Sequence, residues 1–321
     1  MRRNLLAVLT VLCIGTVSAC GSDNDNGGKE KSAGGTKLTA IQKNPANSGK
    51  SITVGSKNFT EEFILGNIYA QALKAAGYTV KTQFNLGSDQ IANRALKSGQ
   101  VDAYPEYTST ALTSFFDVKI ADVPKDPQKA YDQARTDYAK QGLTALPPTP
   151  FSDAQAVGMT KKEADSLGVK TISDLEPKAS SIVFAGPPEC KQRVDCLLGL
   201  QRTYGLKFKK FAPVDPAQRY KTADRGQAQL IVVFTTDGQL ATGKYLVLQD
   251  DKHLFPPYNA MFVVRDKTLK KLGPDVNRVV RQVQKGMTVQ VMQELNSRVD
   301  IDKQEPKDVA TQYLKETGLV K

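Results

Sequence analysis

The chain has 321 residues, 40 % of them hydrophobic and 24 % charged, and its formal net charge is +11. That balance suits a folded globular protein and excludes a disordered or fibrous one; at this length two domains can each bury a core. One histidine and four cysteines exclude most Ser-His and Cys-His catalytic machinery and leave no pattern for a zinc site.

Arg2 and Arg3 precede an apolar run from Leu5 to Val17, which ends in Val17-Ser18-Ala19-Cys20. A positive start, an apolar middle and small residues at the cut form a secretory leader, and the run is shorter than the roughly 20 residues of a bilayer span. The cysteine at the cut resembles a bacterial lipobox. Residues 1–19 are therefore predicted to be a lipoprotein signal peptide and Cys20 the lipidated new N-terminus, which places the protein outside the cell, anchored by lipid to the outer face of the membrane. Nucleic acid, ATP and cytosolic cofactors are then no everyday partners, and no cofactor is expected. The lysines are scattered, with no basic run interleaved with aromatics, so the positive charge reads as a solvated surface facing an anionic envelope.

From Gly21 to about Lys50 the chain is rich in Gly, Ser, Asn, Asp and Lys; with Cys20 it is predicted to be a flexible tether spanning roughly 30 Å. Order begins with a β-branched strand at Ser51-Ile52-Thr53-Val54. Phe63, Ile64, Ile68, Ala72, Leu73 and Ala76 share one stripe of a helix over 61–76, stopped by Gly77. Alternation predicts a strand over 78–84, and a helix follows over 89–97, stopped by Gly99. Asp126-Pro127 opens another helix that reaches Gln141. Thr160 with Glu163 forms a capping box for a short helix ending at Gly168. Ser181–Phe184 and Leu230–Phe234 read as buried parallel strands. Helices are predicted from Pro274, over 288–299 and over 306–316. The alternation gives an α/β class. Pro-rich crossings at Pro147, Pro148 and Pro150, and at Pro256-Pro257, suggest two lobes around a cleft, the usual place for a small ligand.

Cys13 leaves with the leader and Cys20 takes the lipid. Cys190 and Cys196 remain in an exported chain, where a disulfide is expected rather than two inert thiols; so short a ring contributes only about 2 kcal/mol of chain entropy. Gly-x-Ser-x-Gly, Ser-x-x-Lys, His-Glu-x-x-His and Gly-x-Gly-x-x-Gly are absent. Gly49-Lys50-Ser51 imitates the end of a phosphate loop, but Asn44 stands where its first glycine belongs. Glu61 and Glu62 are sequence neighbours and do not face a common point, so no carboxylate dyad is indicated.

What remains is aromatic and cationic punctuation at positions read as loops: Lys57, Tyr104-Pro105-Glu106-Tyr107, Arg193, Phe234-Thr235-Thr236-Asp237-Gly238 and Phe255-Pro256-Pro257-Tyr258. Aromatic faces attract a diffuse cation, at roughly 0.5–2 kcal/mol per ring, and Lys or Arg holds a carboxylate. Together they describe a pocket for a zwitterion with an alkylated positive end.

These segments, with Gly55-Ser56-Lys57-Asn58-Phe59-Thr60-Glu61, Asp102 to Leu112, Glu189 to Asp195 and Asp250 to Tyr258, strongly resemble the glycine betaine/carnitine/choline-binding lipoproteins of osmoprotectant ABC importers. The likeness covers residues 51–321. It implies a two-lobed type II periplasmic-binding-protein fold with a ligand cleft between lobes, one lobe formed by 51–151 plus 255–321 and the other by 152–254, which close on a zwitterionic or cationic ligand and pass it to the permease subunits in the membrane. Carried over by position, Tyr107 and Tyr258 match cage tyrosines, Phe234 takes a third cage place, and Lys57, Thr110 and Arg193 match positions that hold a carboxylate. Asp153 is kept, but Gln155 stands where the resemblance implies a cage tyrosine, and Cys196 where it implies glycine. Keeping both Lys57 and Arg193 favours a carboxylated solute over choline. Two other readings stay open: the same fold with a different polar or aromatic ligand, suggested by Gln155 and Phe234, and an exported hydrolase or envelope-binding protein. A monomer is the default for such an architecture.

Overall fold

The computed structural model describes residues 37–321; the predicted signal peptide, the lipidation site Cys20 and the first part of the tether lie outside them. In chain order the elements are β1 (Ser51–Gly55), α1 (Thr60–Ala75), β2 (Thr79–Gln83), α2 (Asp89–Ser98), β3 (Ala103–Tyr107), α3 (Thr108–Phe115), α4 (Pro127–Ala139), β4 (Leu143–Ala145), β5 (Gln155–Thr160), α5 (Lys161–Leu167), β6 (Val183–Gly186), α6 (Leu197–Tyr204), β7 (Lys210–Pro213), α7 (Arg219–Asp224), β8 (Leu230–Phe234), β9 (Tyr245–Val247), β10 (Ala260–Arg265), α8 (Asp266–Leu272), α9 (Asp275–Gln284), α10 (Val289–Asp300) and α11 (Pro306–Glu316).

Local chemistry explains several boundaries. The Asp126 carboxylate accepts from the Lys129 amide at 2.8 Å and starts α4. The Thr160 hydroxyl accepts from the Glu163 amide at 3.2 Å and starts α5. Gly99 and Gly168 end α2 and α5 in the left-handed conformation, φ 83° and 62°, which a Cβ would disfavour.

The strands form two mixed sheets of five, ordered β2-β1-β3-β10-β4 and β7-β6-β8-β5-β9. In each, a parallel part (β1 with β2 and β3; β6 with β7 and β8) meets an antiparallel partner, β10 or β5. Side-chain alternation gives each sheet two buried faces. Along β10, Ala260, Phe262 and Val264 enter one core while Met261 and Val263 enter the other. Along β8, Leu230 and Val232 face one core, Ile231 and Val233 the opposite one. The fold is thus a two-sheet α/β architecture, as the resemblance implies.

The chain leaves the first sheet after β4 and returns at β10. The two crossings run side by side: Ser152 bridges Asn259 and the Asp153 amide donates to the Tyr258 carbonyl at 3.0 Å. No helix among the described residues is long and apolar enough to cross a membrane.

Two features differ from the sequence reading. Tyr104-Pro105-Glu106-Tyr107, read as loop, is the fully buried strand β3. A proline is unusual in a central strand, but β1 pairs with β3 only at Val54↔Ala103, so no rung of that ladder is asked of Pro105. Residues 37–50, read as the end of the tether, are docked. The amides of Leu38 and Ile41 donate to the carbonyls of Thr317 and Leu319 at 2.7 and 2.8 Å, and that of Asn44 to the Ala76 carbonyl at 3.0 Å. Leu38 and Ile41 pack on the first core. Backbone pairing, invisible in composition, holds a stretch too polar to fold alone.

Candidate functional site

A cavity of about 650 Å³ is lined from both sheets. Its walls are strand ends and the turns after them, the usual ligand position in open α/β sheets. Lys57 follows β1, Tyr107 ends β3, Thr110 lies in the first turn of α3, Arg193 is on the loop after β6, and Phe234 ends β8. Asp153 comes from the outgoing crossing, Gln155 opens β5 and Tyr258 comes from the returning crossing. All eight residues picked from the sequence as ligand-binding line this one cavity. They come from parts of the chain as far apart as Lys57 and Tyr258, so only the crossings and the two sheets bring them together.

Three of the rings picked, Tyr107, Phe234 and Tyr258, are joined by Phe59. Phe59 stacks on Tyr107 with centroids 6.1 Å apart and planes 29° apart. Phe59 and Phe234 are 39 % and 37 % exposed, two of the few large apolar side chains left to solvent among the described residues. Beneath Phe234, the Arg219 guanidinium sits 5.2 Å from the ring centroid.

The positive groups are engaged by the protein itself. The Lys57 ammonium, only 2 % exposed, is 2.6 Å from Glu106, 3.1 Å from Asp89 and 3.8 Å from Glu62. It also lies 4.7 Å from the Tyr107 ring centroid. Burial opposes its charge, but Glu106, Glu62 and Asp89 overcome that and hold its pKa above the ordinary lysine value. A side chain expected to grip a ligand carboxylate is thus held first by the protein's own. Arg193 pairs with Asp195, its Nε donating to Oδ1 at 2.8 Å. Gln155 turns its amide to the Asp195 carbonyl, 2.6 Å away.

A hydrogen-bonded chain crosses the floor. The Tyr107 hydroxyl donates to Glu61 Oε1 at 2.8 Å. Asn296 on α10 donates to Glu61 Oε2 and to the Thr236 carbonyl, each at 2.8 Å, and the Thr236 hydroxyl donates to Asp153 Oδ1 at 2.7 Å. Burial, reinforced by Asp153, raises Glu61 to about 8. Burial raises Asp153 to about 6, against the Thr236 hydrogen bond and helped by Asp237. Phe59, Glu61, Asp89 and Asn296 were not among the residues picked as ligand-binding, although Phe59 and Glu61 lie in a segment that carries the family resemblance. An acid in the first turn of a helix, as Glu61 and Asp89 are, is ordinary dipole chemistry, and only the fold aims Glu61 into a cleft. Glu61 and Glu62 do diverge, Glu61 to the cavity and Glu62 to Lys57.

The Cys190–Cys196 disulfide is formed. No metal-competent cluster of His, Cys, Asp or Glu occurs among the described residues.

A family profile described as "Substrate binding domain of ABC-type glycine betaine transport system" matches residues 50–316. A glycine-betaine-binding protein of Pseudomonas aeruginosa is 35 % identical over 84 % of this chain and 89 % of its own. An ergothioneine transport permease/binding protein of Helicobacter pylori is 29 % identical over 84 % of this chain, which spans about half of that protein (48 %). A crystal structure titled as a glycine betaine/carnitine/choline ABC transporter superposes with a TM-score of 0.77 at 25 % identity, covering 83 % of this chain and 98 % of that one. Substrate-binding components of such importers work outside the cytoplasm and hand small betaine-type molecules to a membrane permease. With a profile spanning most of its length and a relative above 30 % identity, this chain belongs to the family of substrate-binding proteins of ABC-type glycine betaine importers.

Proposed function

We propose that the protein is a lipid-anchored, monomeric binding lipoprotein, cleaved before Cys20, that captures a betaine-type quaternary ammonium solute and makes or breaks no bond. The observation that carries this is the meeting of Phe59, Tyr107, Phe234 and Tyr258 with Glu61 and Asp153 in one cavity. The rings offer π-faces and the carboxyls offer counter-charge to an ammonium that has no N–H to donate. Arg193 and Thr110 line the same cavity, one from each half, for a carboxylate. The halves bearing the two sheets act as lobes, 51–151 plus 255–321 and 152–254, and close about the crossings.

A thermal-shift series with glycine betaine, carnitine, choline and ergothioneine tests this. At 100-fold excess over Kd a true ligand adds about 2.7 kcal/mol to stability, and a compatible solute of the betaine class is expected to give the largest rise in melting temperature. No rise with any of the four removes the reading. Ergothioneine alone shifting the protein selects a ligand with a larger polar group.

Binding should also depend on pH. A quaternary ammonium favours ionised Glu61 and Asp153, so affinity is expected to climb as pH rises from 5 through about 6 and again toward about 8, with proton uptake by the buffer at pH 7 on ligand addition. Glu61→Gln should flatten the upper limb. In the free protein the sign is opposite. A carboxyl whose folded pKa is raised contributes stability below its unfolded value, and that is lost as pH rises through about 8. Calorimetry in two buffers of different ionisation enthalpy reads the proton directly, and a heat independent of buffer would contradict this.

A further inference from the structure

We propose that Gln155 and the Cys190–Cys196 bridge are positioning residues that present Arg193 to the cavity. The inference rests on the reading above, in which Arg193 meets the carboxylate of the ligand. The bridge closes a ring of seven residues around Arg193 and Asp195. Inside it, the Arg193 amide donates to the Cys190 carbonyl and the Cys196 amide to the Arg193 carbonyl, both at 3.3 Å. Bonds that long hold a turn weakly. The guanidinium, with the Arg193 side chain 45 % exposed, is fixed instead through the Asp195 carboxylate, which is 4 % exposed. Asp195 in turn is pinned from outside the ring by the Gln155 amide, buried and 2.6 Å from its carbonyl. Behind the ring, Gly199 leaves no room for a Cβ against the Val194 carbonyl, so helix α6 backs the turn. A glutamine with its amide in this bond is a strut joining β5 to the loop, and the disulfide fixes the loop's two feet.

The test compares two ligands that share a trimethylammonium and differ in the carboxylate, glycine betaine and choline. Their Kd values are measured for the wild type, Arg193→Met, Gln155→Met and the double variant Cys190→Ser/Cys196→Ser. Because bonds to a charged group matter at about the ten-fold level or above, Arg193→Met is expected to weaken glycine betaine about ten-fold or more and choline less than about two-fold. Gln155→Met and the bridge-less variant should copy that pattern, and Gln155→Met should add little once Arg193 is gone. Equal losses for both ligands, or no loss in Gln155→Met, overturn the inference while leaving the function standing. A wild type that binds neither ligand overturns the function and this inference with it. If the bridge-less protein does not fold, Gln155→Met and reduction of the folded wild type decide the matter.

Discussion

Lys57→Met is expected to destabilise the protein by about 3–5 kcal/mol, the range for removing one partner of a buried ion pair. Among the described residues the ammonium is the only cation in salt-bridge distance of Glu106 and Glu62, both fully buried, and the nearer oxygen is 2.6 Å away. Glu106 also accepts from the Tyr104 hydroxyl at 2.8 Å and the Tyr107 amide at 2.7 Å, so it cannot swing out to water without breaking β3. Glu62 Oε2 accepts the Lys57 amide at 2.9 Å, while its Oε1 has no hydrogen bond; without Lys57 that oxygen loses its nearest positive charge. The deficit should depend on pH. Burial already raises both carboxyls, and loss of the cation raises them further. Such groups add stability below their unfolded pKa and lose it as pH rises. Urea unfolding should therefore show a smaller gap between variant and wild type at pH 5 than at pH 8. A gap constant across that interval would mean that Lys57 acts by packing alone.

Gly238→Ala should disturb both stability and binding. A Cβ at this position would stand 2.6 Å from the Ser297 amide nitrogen and 2.8 Å from the Asn296 carbonyl carbon and the Ser297 Cα. These are backbone atoms of α10 and cannot step aside as a flexible side chain does. Overpacking of this kind costs about 1–3 kcal/mol. The loop that must retreat carries Thr235 and Thr236, whose carbonyls accept from Gln293 and Asn296 at 2.7 and 2.8 Å. Asn296 holds Glu61, and Thr236 holds Asp153. A shift of a few tenths of an ångström thus reaches both carboxyls at once, and glycine betaine affinity should fall about ten-fold, as expected when charge-assisted hydrogen bonds are lost. Calorimetric titration and thermal melting of the variant check the two effects. Unchanged affinity would separate the α10 contact from the cavity.

Much of the chain was legible beforehand because its signals are local. Asp126, Thr160, Gly99 and Gly168 mark helix ends through bonds made within four residues. Leu230–Phe234 declares a buried strand by being apolar on both faces. Signals were lost where the determinant is a distant residue. Pro105 reads as a breaker until β10, 155 positions on, gives β3 its partner. Polar residues 37–50 look untethered until Thr317 and Leu319 offer their carbonyls. In the site, residues chosen for chemistry did converge, because aromatic and basic groups at strand ends have few places to go other than a shared cavity. Their pairings were hidden. Lys57 as a bare position suggests a grip on a solute, and only the arrangement of Glu106, Asp89 and Glu62 around it reveals its first duty. Gln155 looked like a gap in a wall of rings, and its hydrogen bond to Asp195 could not be guessed from spacing.

The docking of Leu38 and Ile41 onto Thr317 and Leu319 carries a mechanical consequence. Any pull from upstream enters through those backbone bonds and is borne by the half holding β1 and α11. Among the described residues, the half with β5 to β9 supplies none of the backbone partners of Leu38, Ile41 and Asn44. On the proposed reading, in which the two halves close on a solute, the half with β5 to β9 moves without loading that attachment.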